Sequence, residues 1–379
     1  MQRIVLSPRA DWRSKVEALG LVYHTTDGKP YWNESAYYRF TSRQIDEIEA
    51  ATNALHAMCL EAAQHVIDHD RFAELGVPAA AIDAIKASWE AEPPSLYGRF
   101  DLAYDGVSPP KMLEYNADTP TSLVEAAVVQ WRWLEERFPS ADQFNSIWEG
   151  LVEKWTELKT GGYLLGSPVH FTHVKSTEDL MTVTLLRDTA QEAGLITQGI
   201  HIHEIGWDKN ARRFVDMRNQ PIRTIFKLYP WEWLIAETFG QYALATYSQV
   251  QWIEPIWKLL LSSKGILPIL WELYPNHPNL LEAHLGRSRE MRYYVKKPLF
   301  SREGANVTIK DDTGLTRSEG NYGEEGYVFQ ALAAIPNFDG NRPVLGSWVI
   351  DGAARGMGVR ESDGPITDNL SRFVPHLFE

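Results

Sequence analysis

Arg99, Asp101, Glu114 and Asn116 all fall within the stretch RFDLAYDGVSPPKMLEYNADTPTS, residues 99 to 122. Two carboxylates and an amide oxygen are hard ligands of the kind magnesium takes in octahedral geometry. Glu114 and Asn116 are two residues apart, so on a strand they point to one face. Asp101 lies on a preceding strand and can face them across the turn. Such a set carries modest charge and leaves positions for phosphate oxygens and water. Arg99 shares the face of Asp101, and a guanidinium there can stabilise charge on a transferring phosphoryl group. The DTPTS that follows offers hydroxyls and backbone N–H groups at the start of a helix, a natural end for an anion. Spacing alone leaves open a surface hairpin with ordinary charges.

A second cluster is KKPLFSREGANV, residues 296 to 307. A lysine after an apolar strand, then Arg302, Glu303 and Gly304, reads as a phosphate lysine followed by a loop that closes over phosphates. An exposed basic strand end fits the same run. A third cluster, GVRESDGPITDN at 358 to 369, is a polar loop, functional or merely surface. Neither the P-loop pattern nor G-x-G-x-x-G occurs, so the common nucleotide motifs do not apply.

The elements that must position these residues follow from periodicity. Residues 1–94 read mostly as helix, with Ser35 and Thr41 as available caps. Residues 95–162 hold the hairpin, turning at DGVSPP, and two helices. Residues 163–230 alternate strand and helix as a small α/β layer. Residues 231–379 begin helical and end in short strands with Gly-rich turns. These four blocks are the expected organisation, with soft boundaries and no internal repeat.

The 379 residues, 44% hydrophobic, are enough for a large core or several packed subdomains. A net charge of −13 argues against nonspecific nucleic-acid binding, which needs a basic face. No apolar run is long and unbroken enough for a membrane span, and the first residues do not read as a signal peptide. A soluble cytoplasmic protein is expected. The one cysteine, Cys59, lies in an apolar helical pattern and reads as a buried small residue. His201 and His203 fit a strand with alternating polar residues better than a metal site.

Taken together, YGRFDLAYDG, KMLEYNADTPTSL, LYPWEW, LPILWELYPNHPNLL, KKPLFSREGANV, GSWVIDG and ITDN resemble the synthetase domain of the glutathionylspermidine synthase family, over nearly the whole chain. The resemblance implies a mixed α/β ATP-grasp fold and ATP-dependent ligation of a carboxylate to an amine. The E-x-N motif sits in the first third, ahead of the nucleotide lysines. That order is similar to the circularly permuted arrangement of eukaryotic-type glutathione synthetase.

By motif, the resemblance makes Asp101, Glu114 and Asn116 the magnesium ligands, with Glu114 bridging two ions, and Arg99 the stabiliser of the transition state. Arg99, Phe100 and Asp101 would meet ATP, as would Lys297 and the loop residues Glu303 and Gly304. Lys264 is the choice for a first ATP lysine. Gln330, Leu332, Ala333, Ala334 and Ile335 would line the adenine pocket, and Thr367, Asp368 and Asn369 would reach the nucleotide. Arg360, Thr119, Thr121 and Glu178 are the substrate candidates. Partners would be a small acid and a small amine, glutathione-like and spermidine-like by family expectation. No amidase domain is expected, and Cys59 does not match its nucleophile.

Two rival readings carry their own expectations. A carbohydrate hydrolase would use Asp101 and Glu114 as an acid/base pair and some of the fourteen tryptophans to stack on sugars. A non-catalytic protein of the same fold would bind ATP without turnover.

Overall fold

The computed structural model describes residues 1–26, 28–368 and 371–379. Tyr97–Ala103 and Lys111–Asn116 pair antiparallel as the alternation predicts. Their turn is held by Asp105, whose Oδ1 accepts the N–H groups of Val107 and Ser108 at 2.8 and 2.7 Å. The other edge of Tyr97–Ala103 pairs with Arg342–Ile350, which is followed outward by Ala353–Ser362 and Arg372–Val374. One five-stranded antiparallel sheet thus joins a hairpin from the first third of the chain to strands from its last tenth.

A second five-stranded antiparallel sheet runs Ala283–Leu285, Tyr327–Ala331, Tyr294–Pro298, Thr308–Asp311, Gly314–Arg317. A third sheet is parallel, in the order Gln251–Ile253, Thr224–Leu228, Val169–His173, Thr197–His201. Its strand order reverses between Val169–His173 and Thr224–Leu228. In open parallel sheets, ligands settle at the carboxyl ends of strands at such a point.

The helix Ser42–Asp68 backs the first sheet. Thr41 caps it through a capping box with Gln44. Its buried residues Ile45, Ile48, Leu55, Cys59, Ala62 and Val66 recur at helical spacing and share a core with Phe100, Leu102 and Tyr115. Thr52 Oγ1 lies 2.7 Å from Ser347 Oγ and ties the helix to the sheet. This face of the sheet is closed, which leaves the alternate residues Arg99, Asp101, Glu114 and Asn116 for the other face.

Two expectations for the elements fail. Gln2–Val5 and Ala36–Phe40 are strands, not helix, and Ala36–Phe40 pairs with Gln2–Val5 on one edge and with His376–Phe378 on the other. The partner strand lies more than three hundred residues away, so no local pattern announces it, and the helix starts at Ser42 behind Thr41 rather than at Ser35. Residues 231 to 290 are also less helical than expected, since Gln251–Ile253 and Ala283–Leu285 are strands. No helix among the described residues is long and apolar enough to cross a membrane.

Candidate active site

The two antiparallel sheets and the reversal point of the parallel sheet line one cleft. In the hairpin register, Arg99 faces Asn116 and Asp101 faces Glu114. All four therefore share one face, and all four line the cleft. The register slips after Asp101, so Leu113 is bulged out. Its freed carbonyl accepts Lys297 Nζ at 2.8 Å.

Opposite charges interlock across the face. Arg99 Nε donates to Asp101 Oδ1 at 2.8 Å, and Arg360 Nη2 donates to Asp101 Oδ2 at 2.7 Å. Arg99 Nη1 also donates to the Thr121 carbonyl at 2.8 Å. Lys264 Nζ stands 3.1 Å from Glu114 Oε2 and donates to the Ser301 carbonyl at 2.6 Å. Asn116 Nδ2 is 3.3 Å from Glu114 Oε1. Burial opposes the charge on Glu114, but Lys264 and Lys297 outweigh it and hold the carboxyl down at about 2. Burial pulls the Lys297 ammonium down to about 8, against the attraction of Glu114.

Gln330 faces the cleft with its side chain already engaged. Its Oε1 accepts Lys297 Nζ at 2.8 Å and its Nε2 donates to the Met112 carbonyl at 3.0 Å, so it locks the second sheet to the hairpin. Leu332, Ala333 and Ile335 line the cleft beside it, as do Glu303, Gly304 and Thr367. Gly304 has φ +68°, and a Cβ there would fall 2.7 Å from the Thr367 carbonyl oxygen. The 301–306 loop thus rests on the 364–368 loop at a position only glycine fills without strain. Thr119, Thr121, Glu178 and Arg360 also line the cleft.

Phe100, Ala334 and Asp368 do not line it. Phe100 alternates with Arg99 and Asp101, so its ring points to the closed side and stacks on Tyr115 at 3.8 Å between centroids. Asp368 turns its carboxylate to Ser371 Oγ, 3.2 Å away. Asn369 lies outside the described residues.

Several cleft residues carry no spacing signal of their own. Arg302 donates to Glu232 Oε1 at 2.6 Å and to Thr119 Oγ1 at 2.8 Å, with its guanidinium 5.7 Å from the Trp233 ring centre. Asp179 lines the cleft next to Glu178 at the first turn of Thr177–Glu192. Behind Arg99, buried Glu125 sits in a single π-turn, and burial pushes its carboxyl up to about 7. Only the LYPWEW and K-P…R-E-G runs could have flagged Trp233 and Arg302.

Among the described residues, no three His, Cys, Asp or Glu side chains converge as a ready metal cluster. Two carboxylates and one amide are nonetheless hard oxygen donors, and they fit a magnesium ion that takes its remaining ligands from phosphate and water.

The family model described as glutathionylspermidine synthase preATP-grasp matches residues 3–379. The chain belongs to the glutathionylspermidine synthase family. Its members use ATP with magnesium, and this chain is an ATP-dependent acid–amine ligase. It is 40% identical to a Haemophilus influenzae protein named "Putative acid--amine ligase", over the full length of both. It is 30% identical to the trypanothione synthetase of Crithidia fasciculata, with 84% of this chain and 53% of that protein covered. It is 26% identical to the bifunctional glutathionylspermidine synthetase/amidase of Escherichia coli, with 89% and 58% covered. The fold is also that of a glutathione synthetase-like effector from Globodera pallida, at TM-score 0.62 and 11% identity, covering 97% and 96% of the two chains.

A glutathionylspermidine synthase relative has no use for the hydrolase reading, and the geometry removes it. Both Asp101 carboxylate oxygens are occupied by arginine N–H donors, and Glu114, held ionised by two lysines, cannot serve as an acid near neutral pH, so no acid/base pair is left. Half of the tryptophans are core, and Trp32, Trp133, Trp155, Trp231 and Trp348 are fully buried. Cys59 is also buried, and burial pushes its thiol well up.

Proposed function

We propose that this ligase joins a glutathione-like peptide acid to a spermidine-like amine through an acyl phosphate, with ATP lying between the two antiparallel sheets. The observation that carries the reading is the hairpin face. Asp101, Glu114 and Asn116 stand beside Arg99, with Glu114 under the charge of Lys264, from the turn before helix Ile266–Leu273, and of Lys297, from the facing sheet.

The adenine takes the apolar end, among Val295, Val307, Ile309, Leu332, Ile335 and Ile366. The triphosphate runs past Lys297 and Lys264 towards the hairpin. Asp101, Glu114 and Asn116 would hold magnesium, which neutralises phosphate charge when bound. The acid sits at the reversal point of the parallel sheet, beside Thr119, Thr121 and Arg360. Its carboxylate attacks the γ-phosphorus, and Arg99 with the two lysines stabilises the charge that shifts to the departing oxygen. The amine then attacks the acyl carbon and phosphate leaves. The 301–306 loop, seated through Gly304, keeps water from the intermediate.

Glu114→Gln tests the placement. It keeps the shape and removes one carboxylate charge, so turnover should fall by at least about 100-fold, the scale for losing one electrostatic stabiliser. Far-ultraviolet circular dichroism should stay unchanged. Wild-type turnover in a folded Glu114→Gln protein would remove the metal role from this residue.

A further inference from the structure

Resting on the ligase reading, we propose that Asp179 is the base that takes the proton from the attacking amine. The second half of the reaction needs such a group, because an alkyl ammonium has no lone pair to attack with. The carboxylates that line the cleft are Asp101, Glu114, Glu178, Asp179 and Glu303. Asp101 is held by Arg99 and Arg360, and Glu114 by Lys264 and Asn116. Glu303 belongs to the loop that packs on Thr367. Glu178 and Asp179 remain, at the first turn of the helix Thr177–Glu192.

Asp179 suits a proton acceptor better than its neighbour. Its backbone N–H is fixed by Ser176 Oγ at the helix start, which anchors the residue while the side chain faces the cleft. Burial, with Glu178 and Glu303 beside it, pushes its carboxyl up to about 7, against the pull of Arg302. These are the charged groups around it: Glu178 on its own helix, and Arg302 and Glu303 on the loop across the cleft. A group of that basicity takes a proton near neutral pH and returns it to water.

The step balances as follows. The ammonium gives one proton to the Asp179 carboxylate, and the amine lone pair forms the N–C bond. The C–O bond to phosphate then breaks, and phosphate leaves with the electron pair. It takes a second proton from nitrogen, and the amide keeps the third. Asp179 then releases its proton to solvent.

The test uses the intact protein with glutathione as acid and two amines, spermidine and hydroxylamine. Hydroxylamine is largely unprotonated at neutral pH and needs no base. Asp179→Asn should lower kcat at saturating spermidine by about 100-fold, the lower end for general base catalysis. Hydroxamate formation from hydroxylamine should stay within a few-fold of wild type. Asp179→Glu should restore part of the spermidine rate. Equal losses with both amines, or a change confined to the KM for spermidine, would overturn the base role. Absence of ADP and of hydroxamate in the wild-type protein itself would instead bring down the glutathione-like acid of the proposed function beneath it.

Discussion

At the residue scale, the site works by setting charge against charge in a buried cleft. Lys297 is sensitive to pH, because burial has already drawn its ammonium down to about 8. A phosphate ligand favours the charged form. ATP affinity should therefore be full below pH 8 and weaken as pH rises above it, while Lys297→Arg, which stays charged, should flatten that decline. Calorimetric titration of ATP from pH 7 to 9.5 reads this directly; a wild-type affinity that does not change across the range contradicts it. Glu125 gives a second, purely structural reading. Its folded-state value of about 7 lies above the unfolded value, so its contribution to stability is present below pH 4.5 and is lost as pH rises through 7. Glu125→Gln mimics the protonated form and should raise the melting temperature at pH 8 relative to wild type, but not at pH 4.5. Equal shifts at both pH values would show that the carboxyl's ionisation is not what costs stability.

At the element scale, the hairpin was legible and the chain's first strands were not. Alternation on both arms and a Gly/Pro turn between them are local signals, and they place Arg99, Asp101, Glu114 and Asn116 on one face correctly. The bulge at Leu113, which supplies the carbonyl for Lys297, has no such signal. Ala36–Phe40 runs straight into helical spacing, and only pairing with His376–Phe378 makes it a strand. The family resemblance sets Phe100 beside the nucleotide, whereas strand alternation turns its ring to the closed side, against Tyr115. One buried ion pair fixes how the hairpin meets the parallel sheet. Lys227 Nζ lies 2.5 Å from Asp118 Oδ1, both side chains being sealed from solvent, and Asp118 Oδ2 accepts the Trp231 N–H at 3.0 Å. Removing the cation alone leaves a buried carboxylate unpaired, so Lys227→Met should cost about 3–5 kcal/mol in urea unfolding. Lys227→Met with Asp118→Asn should recover part of that loss. A single variant as stable as wild type would mean the pair does not hold the two sheets in place.

At the scale of the whole molecule, the site exists only because distant parts of the chain meet. The hairpin comes from the first third, the lysines from the last third, and Arg360 from a strand near the end. Motifs could name these residues, because each lies in a short, specific run. They could not reveal that Gln330 braces Lys297 to the hairpin, or that Arg302 bridges Glu232 and Thr119, since those contacts span long separations. The cleft runs from the hairpin carboxylates, met there by lysines and arginines, to the reversal point of the parallel sheet, and the proposed function puts the nucleotide at the first end and the substrates at the second. Such a layout predicts that ATP is consumed only when both substrates are bonded in the same event. The measurement that tests this most directly is magnesium-dependent ADP release by the pure protein with glutathione, with spermidine, and with both. The account predicts sustained release only with the pair, in step with a product whose mass is the sum of the two less one water. Sustained release that ignores the amine, or tight ATP binding with no turnover for this pair or a wider panel of acids and amines, would contradict it.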